Sequence, residues 1–271
     1  MIEKEFRNSE QTHKQVLRGT FDELCTFTID RILSSGKLPY FISIAGNSAS
    51  GKSTVSKALA GVLSSYHSVG VIDLDAFLND KGKEKYTEKD PDWPPIFFCG
   101  YDPALFNLDQ VQENIMRLKS GYSILLPHYD RSLQRKCGEE EIKGDKHIYI
   151  VEGMRALDDE VSTSTDLHVL VDARFTTRLI RRILRNTLEF GRKDINELIQ
   201  RYVLVAEPGY RYYEQYLQQK SDFVLPNEDN PYKMTVNDQL LVIYKDDKNL
   251  LTIPISQETQ AVLASTNLFK V

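Results

Sequence analysis

The sequence predicts an α/β fold, a mostly parallel sheet with helices packed on both faces. Three observations carry this. Short, continuous apolar runs recur at residues 40–45, 68–75, 122–127, 147–153, 167–172 and 222–226. Runs of that kind suit strands buried on both faces, unlike the alternation of a strand with one wet face. Helical periodicity separates most of them, as in βαβ units. Finally, one strand-to-helix junction, "GNSASGKS" at 46–53, carries almost no side-chain volume.

Along the chain, residues 13–35 read as a helix with Val16, Leu17, Phe21, Leu24, Cys25, Phe27, Ile29 and Ile32 as apolar positions. Gly36 suits its cap, and Pro39 lies beyond. "YFISIA" begins the strand series. Residues 78–95, "LNDKGKEKYTEKDPDWPP", form a charged, proline-rich excursion, and excursions of that length are usually functional. After "LPNEDNP" the pattern changes: "QLLVIY" and "LLTIPI" flank "KDDKN" as a β-hairpin would. The organisation expected is a helical extension over 1–37, a main domain over 38–228 and a hairpin extension over 229–271.

Composition narrows the class. With 271 residues, 41% hydrophobic and 27% charged, the chain suits one elaborated α/β domain. A net charge of -5 argues against a general nucleic-acid-binding surface. Cys25, Cys99 and Cys137 are odd in number and widely spaced, which suits neither a disulfide framework nor a zinc site. "MIEKEFRNSEQ" lacks the apolar core of a secretory signal, and no apolar run reaches the ~20 residues of a membrane span. The expectation is a cytoplasmic protein with reduced thiols and no membrane or nucleic-acid partner. Whether it forms a homo-oligomer stays open.

The junction has a chemical reading. "GNSASGKS" fits G-x-x-x-x-G-K-[ST] at Gly46, Gly51, Lys52 and Ser53. Glycine and small residues let backbone N–H groups turn inward around phosphate oxygens. The helix starting near Lys52 aims its positive end at the same place. Lys52 would reach the β- and γ-phosphates, and the Ser53 hydroxyl would hold Mg²⁺. The competing reading, a tight glycine turn, accounts for Gly51 but not for the Lys-Ser pair. The loop implies a nucleoside triphosphate without naming the reaction.

Ligands of a doubly wound sheet sit beyond the carboxyl ends of its strands. "VIDLDAF" places Asp73 and Asp75 there, with Asp75 the better candidate to reach the cleft because the chain turns beside it. A carboxylate at that place could take a hydroxyl proton or help hold Mg²⁺. The plainer role for either is a helix N-cap or turn aspartate. "IYIVEG" ends another strand at Glu152, a metal-supporting carboxylate or a simple strand-end one. "RLIRRILRNTLEFGR" spaces Arg178, Arg181, Arg182 and Arg185 along one helix face, opposite Ile180, Ile183, Leu184, Thr187 and Leu188. Such a stripe is commonly a solvated face. After a phosphate loop it is also a candidate lid whose guanidinium forks meet phosphate oxygens and exclude water.

These segments together resemble the uridine kinase and phosphoribulokinase family of P-loop small-molecule kinases, over residues 39–227. "ISIAGNSASGKST" resembles the family's nucleotide loop, and "VIDLDAF" its strand ending in an aspartate. "YDPALFNLDQVQENIMRLKSGYSILLPHYD" resembles the stretch whose aspartate and tyrosine, here Asp102 and Tyr129, contact the acceptor. "IYIVEGMRAL" matches the strand bearing Glu152, and "RRILRNTLEFGRKDINELIQRYVLVAEPGYRYYEQYLQQKSDFVLPN" the lid and the chain beyond it. The resemblance implies a three-layer α/β/α P-loop kinase fold. It implies ATP and Mg²⁺ as cofactors and a small-molecule hydroxyl acceptor.

By the same resemblance, Gly46, Asn47, Ser48, Ala49, Ser50, Gly51, Lys52, Ser53 and Thr54 cradle the phosphates, and Ser53 with Glu152 holds Mg²⁺. Asp75 orients or deprotonates the acceptor hydroxyl. Asp102, Tyr129 and Arg182 hold the acceptor, while Arg185 and Arg192 close over the transferring group. The chain departs from uridine kinases at four positions. Asn186 replaces an aspartate, and Phe190 replaces the first arginine of Arg-Gly-Arg. In "YDRSLQRK", Arg131 and Gln134 stand where an aromatic and a histidine would meet the pyrimidine. Arg131 would suit an anionic or polyhydroxy acceptor, or a plain surface. His128 points away from Tyr129 by strand alternation. A uridine- or cytidine-like nucleoside leads. Its rivals are a sugar, sugar phosphate, pantothenate-like or glycerate-like alcohol, or an ATP-binding regulator without activity.

Overall fold

A computed structural model describes residues 16–79, 105–130 and 135–266. Most of the charged excursion, together with Asp102, Arg131 and Gln134, lies outside the described residues. In chain order the elements begin with β1 (Leu17–Arg18), α1 (Phe21–Ser35), β2 (Tyr40–Ala45), α2 (Lys52–Leu63) and β3 (Val69–Asp73). There follow α3 (Leu108–Lys119), β4 (Ile124–Asp130), β5 (Arg135–Ile142), β6 (Ile148–Glu152), α4 (Asp159–Ser162) and β7 (Leu167–Asp172). The remainder comprises α5 (Phe175–Leu184), α6 (Ile195–Arg201), α7 (Glu207–Lys220), β8 (Phe223–Pro226), β9 (Tyr232–Asn237), β10 (Leu240–Lys245), β11 (Lys248–Pro254) and α8 (Gln257–Ser265).

The main sheet runs β1-β8-β7-β2-β6-β3, with every pairing parallel. Its central strands β2, β6 and β7 are mostly apolar because both faces are covered. On β2, Tyr40, Ile42 and Ile44 enter one core while Phe41 and Ala45 enter the other. β6 alternates the same way, with Ile148 and Ile150 against Tyr149 and Val151. Leu24 and Ile32 of α1 and Val55, Leu59 and Leu63 of α2 fill the Ile42 side. Val111, Ile115 and Leu118 of α3 and Tyr210 and Leu217 of α7 fill the Phe41 side. This is the three-layer architecture the sequence predicts.

Three features depart from the sequence reading. The helix expected from residue 13 starts at Phe21, behind a Thr20–Glu23 capping box. Leu17 and Arg18 instead add a short edge strand beside β8. The run at 122–127 does not join the main sheet. As β4 it pairs antiparallel with β5, whose charged sequence, "RKCGEEEI", hides a strand. A bulge at His128 breaks its alternation, leaving His128 exposed and Tyr129 half-buried. Third, the expected hairpin is the β10–β11 part of a three-stranded antiparallel sheet completed by β9 and followed by α8.

That tail sheet has a definite partner. Leu241 and Ile243 of β10, Ile253, Ile255 and Leu263 share a third core with Leu179, Ile180, Ile183 and Leu184 of α5 and with Ile195, Ile199 and Tyr202. The tail therefore covers the apolar face of the arginine helix. Leu241 is fully buried there. Leu241→Ala should lower stability in urea unfolding by about 2–5 kcal/mol, the usual cost of such a truncation. A wild-type midpoint would show that the tail sheet adds nothing to the fold.

Candidate active site

The glycine loop leaves the carboxyl end of β2, the strand between β6 and β7. Asn47 and Ser50 are buried, and the Ser50 N–H donates to the Asn47 carbonyl at 3.0 Å, closing a turn. A Cβ on Gly46 would stand 2.5 Å from both Ser50 Oγ and the Val171 carbonyl oxygen. Gly51 has φ +96, a backbone region open chiefly to glycine. It occupies the N-cap of α2, where no side chain caps the helix and no acidic residue enters the first turn. Thr20, Asn107 and Ser256 cap α1, α3 and α8 with side-chain oxygens, whereas α4, α5, α6 and α7 share with α2 the lack of a side-chain cap. The cradle at α2 is left to backbone N–H groups, with Lys52 and Ser53 in the first helical turn. An anion fits there on dipole and donor grounds.

The carboxylates converge on the same edge of the sheet. β3 and β6 pair with Asp73 opposite Glu152, and Glu152 is also opposite Ile44 of β2. Glu152 is buried. Asp73 Oδ1 accepts from the Asp75 N–H at 2.9 Å and caps the short 3₁₀ turn Leu74–Phe77. Asp73 thus takes the N-cap role, and Asp75 rides half-buried on the turn it holds. β4, which carries Tyr129, packs against that turn. Behind Glu152, buried Arg155 pairs with Asp158, to which the Tyr213 hydroxyl donates at 2.9 Å. Burial pushes the Asp158 carboxyl up to about 6, with Arg155 pulling the other way. A serine hydroxyl and a strand-end carboxylate are hard oxygen donors. They suit Mg²⁺, which commonly uses one or two protein ligands beside phosphates and waters.

The arginine helix does not present all four arginines alike. Arg178 is buried, its guanidinium donating to Glu207 Oε2 at 2.8 Å and Oε1 at 3.1 Å, to the Ala173 carbonyl and to the Tyr202 hydroxyl. It also sits over the Tyr210 ring. It is a structural cation, not part of a phosphate-facing stripe. Arg182 reaches the glycine loop, donating to Ser48 Oγ at 2.8 Å, and lies over the Tyr202 ring. Burial pushes the Tyr202 hydroxyl up to about 12, so it stays a neutral platform. Arg181 donates to the Ser50 carbonyl at 3.2 Å.

Beyond α5 the chain widens into a π-helical turn, Arg185–Glu189, of the kind often found at functional sites. Arg185 lies over the Phe190 ring at 5.7 Å. Asn186 Nδ2 donates to the Arg182 carbonyl at 2.8 Å, which an ionised aspartate could not do. Gly191 turns the chain at φ +62, and the Arg192 N–H donates to the Asn186 carbonyl at 2.9 Å.

Lys52, Ser53, Asp75, Glu152 and Arg182 thus gather around the carboxyl edge of one sheet, with Arg185 on the π-helical turn that continues α5 and Arg192 just beyond it. Sequence reasoning passed over Asn227, whose side chain donates to the Ser50 carbonyl at 2.8 Å. Its signal was present, since Asn227 follows an apolar strand as Asp75 and Glu152 do. The Arg178 partner, Glu207, had no such signal; it comes from a helix 29 residues away.

A parallel sheet with a G-x-x-x-x-G-K-[ST] loop between a central strand and the helix that follows is the P-loop architecture. A family model described as the phosphoribulokinase / uridine kinase family matches residues 41–230, and the chain belongs to that family. It is accordingly an ATP-dependent phosphotransferase with an alcohol as acceptor. The chain is 31% identical to a uridine kinase of Anoxybacillus flavithermus over 192 residues, 70% of this chain and 87% of that one. It is 30% identical to a uridine kinase of Bacillus subtilis over 193 residues, again 70% and 87%. Among solved structures, its fold is similar to a candidate fructose transport system kinase from a Silicibacter species. That match has TM-score 0.62 and 20% identity, over 76% of this chain and 98% of the other. Among the described residues, no helix is long and apolar enough to cross a membrane.

Arg178→Ala should leave the Glu207 carboxylate buried with only the exposed Arg211 beside it. The expected loss is about 3–5 kcal/mol of unfolding free energy, as when one partner of a buried pair is removed. A loss below about 1 kcal/mol, the scale of an exposed ion pair, would contradict this structural role.

Proposed function

We propose that the chain transfers the γ-phosphoryl group of ATP, with Mg²⁺, to a hydroxyl of a small molecule, with a uridine- or cytidine-like nucleoside the favoured acceptor. The observation that carries this reading is the convergence at one sheet edge. The uncapped glycine loop, two strand-end carboxylates and a lid arginine touching the loop all meet there.

Each group has a job that its position supports. Backbone N–H groups of 46–54 hold the phosphates, and Lys52 neutralises their charge. Mg²⁺, held through Ser53 and Glu152, would screen the phosphate oxygens as transfer proceeds. Asp75, on a turn fixed by Asp73, accepts or orients the acceptor hydroxyl proton. Arg185 and Arg192 close over the transferring group, which keeps water out. Tyr129 lies on the neighbouring ribbon and, with Asp102, Arg131 and Arg182, would hold the acceptor.

A nucleoside is favoured because relatives at about 30% identity are uridine kinases. Arg131 and Gln134 favour a second acceptor class, a sugar, sugar phosphate, pantothenate-like or glycerate-like alcohol. Pyrimidine recognition by hydrogen bonds is where selectivity is won or lost. A regulator that only binds ATP is the remaining rival, motivated by Asn186 and Phe190. The contacts of these two residues with the lid weaken that motive, because Asn186 holds the lid backbone and Phe190 seats Arg185.

ADP release, screened over nucleosides, sugars and small alcohols with and without Mg²⁺, tests the proposal. Turnover should require both an acceptor and Mg²⁺. Lys52→Ala should reduce it on the order of a hundredfold or more, the scale of losing one preorganised charge. Asp75→Asn should cost a similar factor if the carboxylate takes the proton. ATP binding without turnover on any acceptor would favour the regulator. Near wild-type turnover in Asp75→Asn would remove Asp75 from its role.

A further inference from the structure

We infer that Asn227 and Arg181 are positioning residues. They hold the Ser50 carbonyl turned out of the phosphate cradle and so aim the Gly51 N–H into it. The inference deepens the kinase reading and rests on it. The Ser50 oxygen accepts from two side chains at once, Asn227 Nδ2 at 2.8 Å and Arg181 Nη1 at 3.2 Å. The donors come from different parts of the chain, Asn227 from the segment after β8 and Arg181 from α5. The Ser50–Gly51 peptide is trans; among the described residues, cis geometry occurs at Leu38–Pro39. In a planar trans peptide the C=O and N–H point to opposite sides. Whatever fixes the carbonyl outward therefore fixes the next N–H inward.

This bond needs such a restraint. Gly51 can rotate about φ at little cost, so the peptide before it could flip and offer the phosphates an oxygen in place of an N–H. Gly51 cannot carry a side chain either, because its Cβ would run into Asn227 Nδ2. Glycine and asparagine thus act as one device, in which the missing side chain admits the amide that pins the peptide. Both pins are themselves held. The Asn227 N–H donates to the Asp172 carbonyl at 2.6 Å, at the end of β7. Arg181 Nη2 donates to the Asp229 carbonyl at 2.5 Å, on the segment leading into the tail sheet. The phosphate loop and the tail are therefore joined through one guanidinium.

Calorimetric titration of the full chain with ADP and with AMP tests this without turnover. Asn227→Ala should weaken ADP binding about tenfold, the worth of a good hydrogen bond to a buried carbonyl. Asn227→Asp keeps the size but sets a carboxylate against the carbonyl, so it should weaken ADP further. Arg181→Gln should fall between wild type and Asn227→Asp. AMP, which lacks the β-phosphate, should bind all variants as it binds wild type, a split that mere loss of packing would not produce. If Asn227→Asp does not fold, Asn227→Ser reads the same loss. Variants that bind ADP like wild type, or that lose ADP and AMP equally, overturn the inference. A wild-type chain that binds ADP but phosphorylates no alcohol overturns the proposed reaction instead.

Discussion

The start of α2 is a helix end that the protein does not cap with a side chain. Donors left open at a helix end need a partner, and an anion suits them by charge as well as by hydrogen bonding. Much of the architecture serves to keep that end open and correctly shaped. β2 brings it to the centre of the sheet, between β6 and β7. Buried Asn47 and Ser50 close the turn beneath it. Ser48 and Ser50 are held from outside by Arg182, Arg181 and Asn227. The loop is short of side-chain volume, but its backbone is restrained from several sides. A cradle whose donors are already oriented spends little free energy on reorganisation when charge moves through it.

The helix proposed as a lid, α5, is restrained by a different means. Its apolar face is covered by the tail sheet, while Arg178 ties its root to Glu207 of α7. After Leu184 the chain leaves regular α geometry in two π-helical turns, Arg185–Glu189 and Tyr202–Ala206, which flank α6. Arg185 and Arg192 sit on or beside the first of these. Packing sets the division: the arginines that touch the loop lie on a braced helix, and those assigned to closure lie where the backbone leaves regular α geometry. The two departures from the family pattern fall in the same stretch, and both acquire local work there. Asn186 satisfies a lid carbonyl, and Phe190 gives Arg185 an aromatic seat.

The central strands of the main sheet were legible because they are buried on both faces and so are mostly apolar. β2 and β7 span the residues that pattern marks. β5 was not legible, because a two-stranded ribbon facing solvent tolerates Glu139, Glu140 and Glu141 in a row. β1 is two residues long and disappears into the periodicity of the helix after it, although Thr20 and Glu23 mark the true helix start. In the site, the loop and strand-end carboxylates could be read from spacing alone. The arginines could not, because helical spacing places Arg178 near Arg182 without revealing that Glu207 and Tyr202 draw it inside. Partners distant in sequence, such as Asn227 for Ser50, are set by topology, which a linear pattern does not contain.

The central claim is that the phosphoryl group goes to an alcohol and not to water. Phosphorus NMR of ATP, Mg²⁺ and a candidate nucleoside incubated with the full chain addresses it directly. The account predicts ADP and a new phosphomonoester appearing in equal amounts, with inorganic phosphate staying at its uncatalysed level. ADP accompanied by inorganic phosphate alone, across nucleosides and small alcohols, would contradict it.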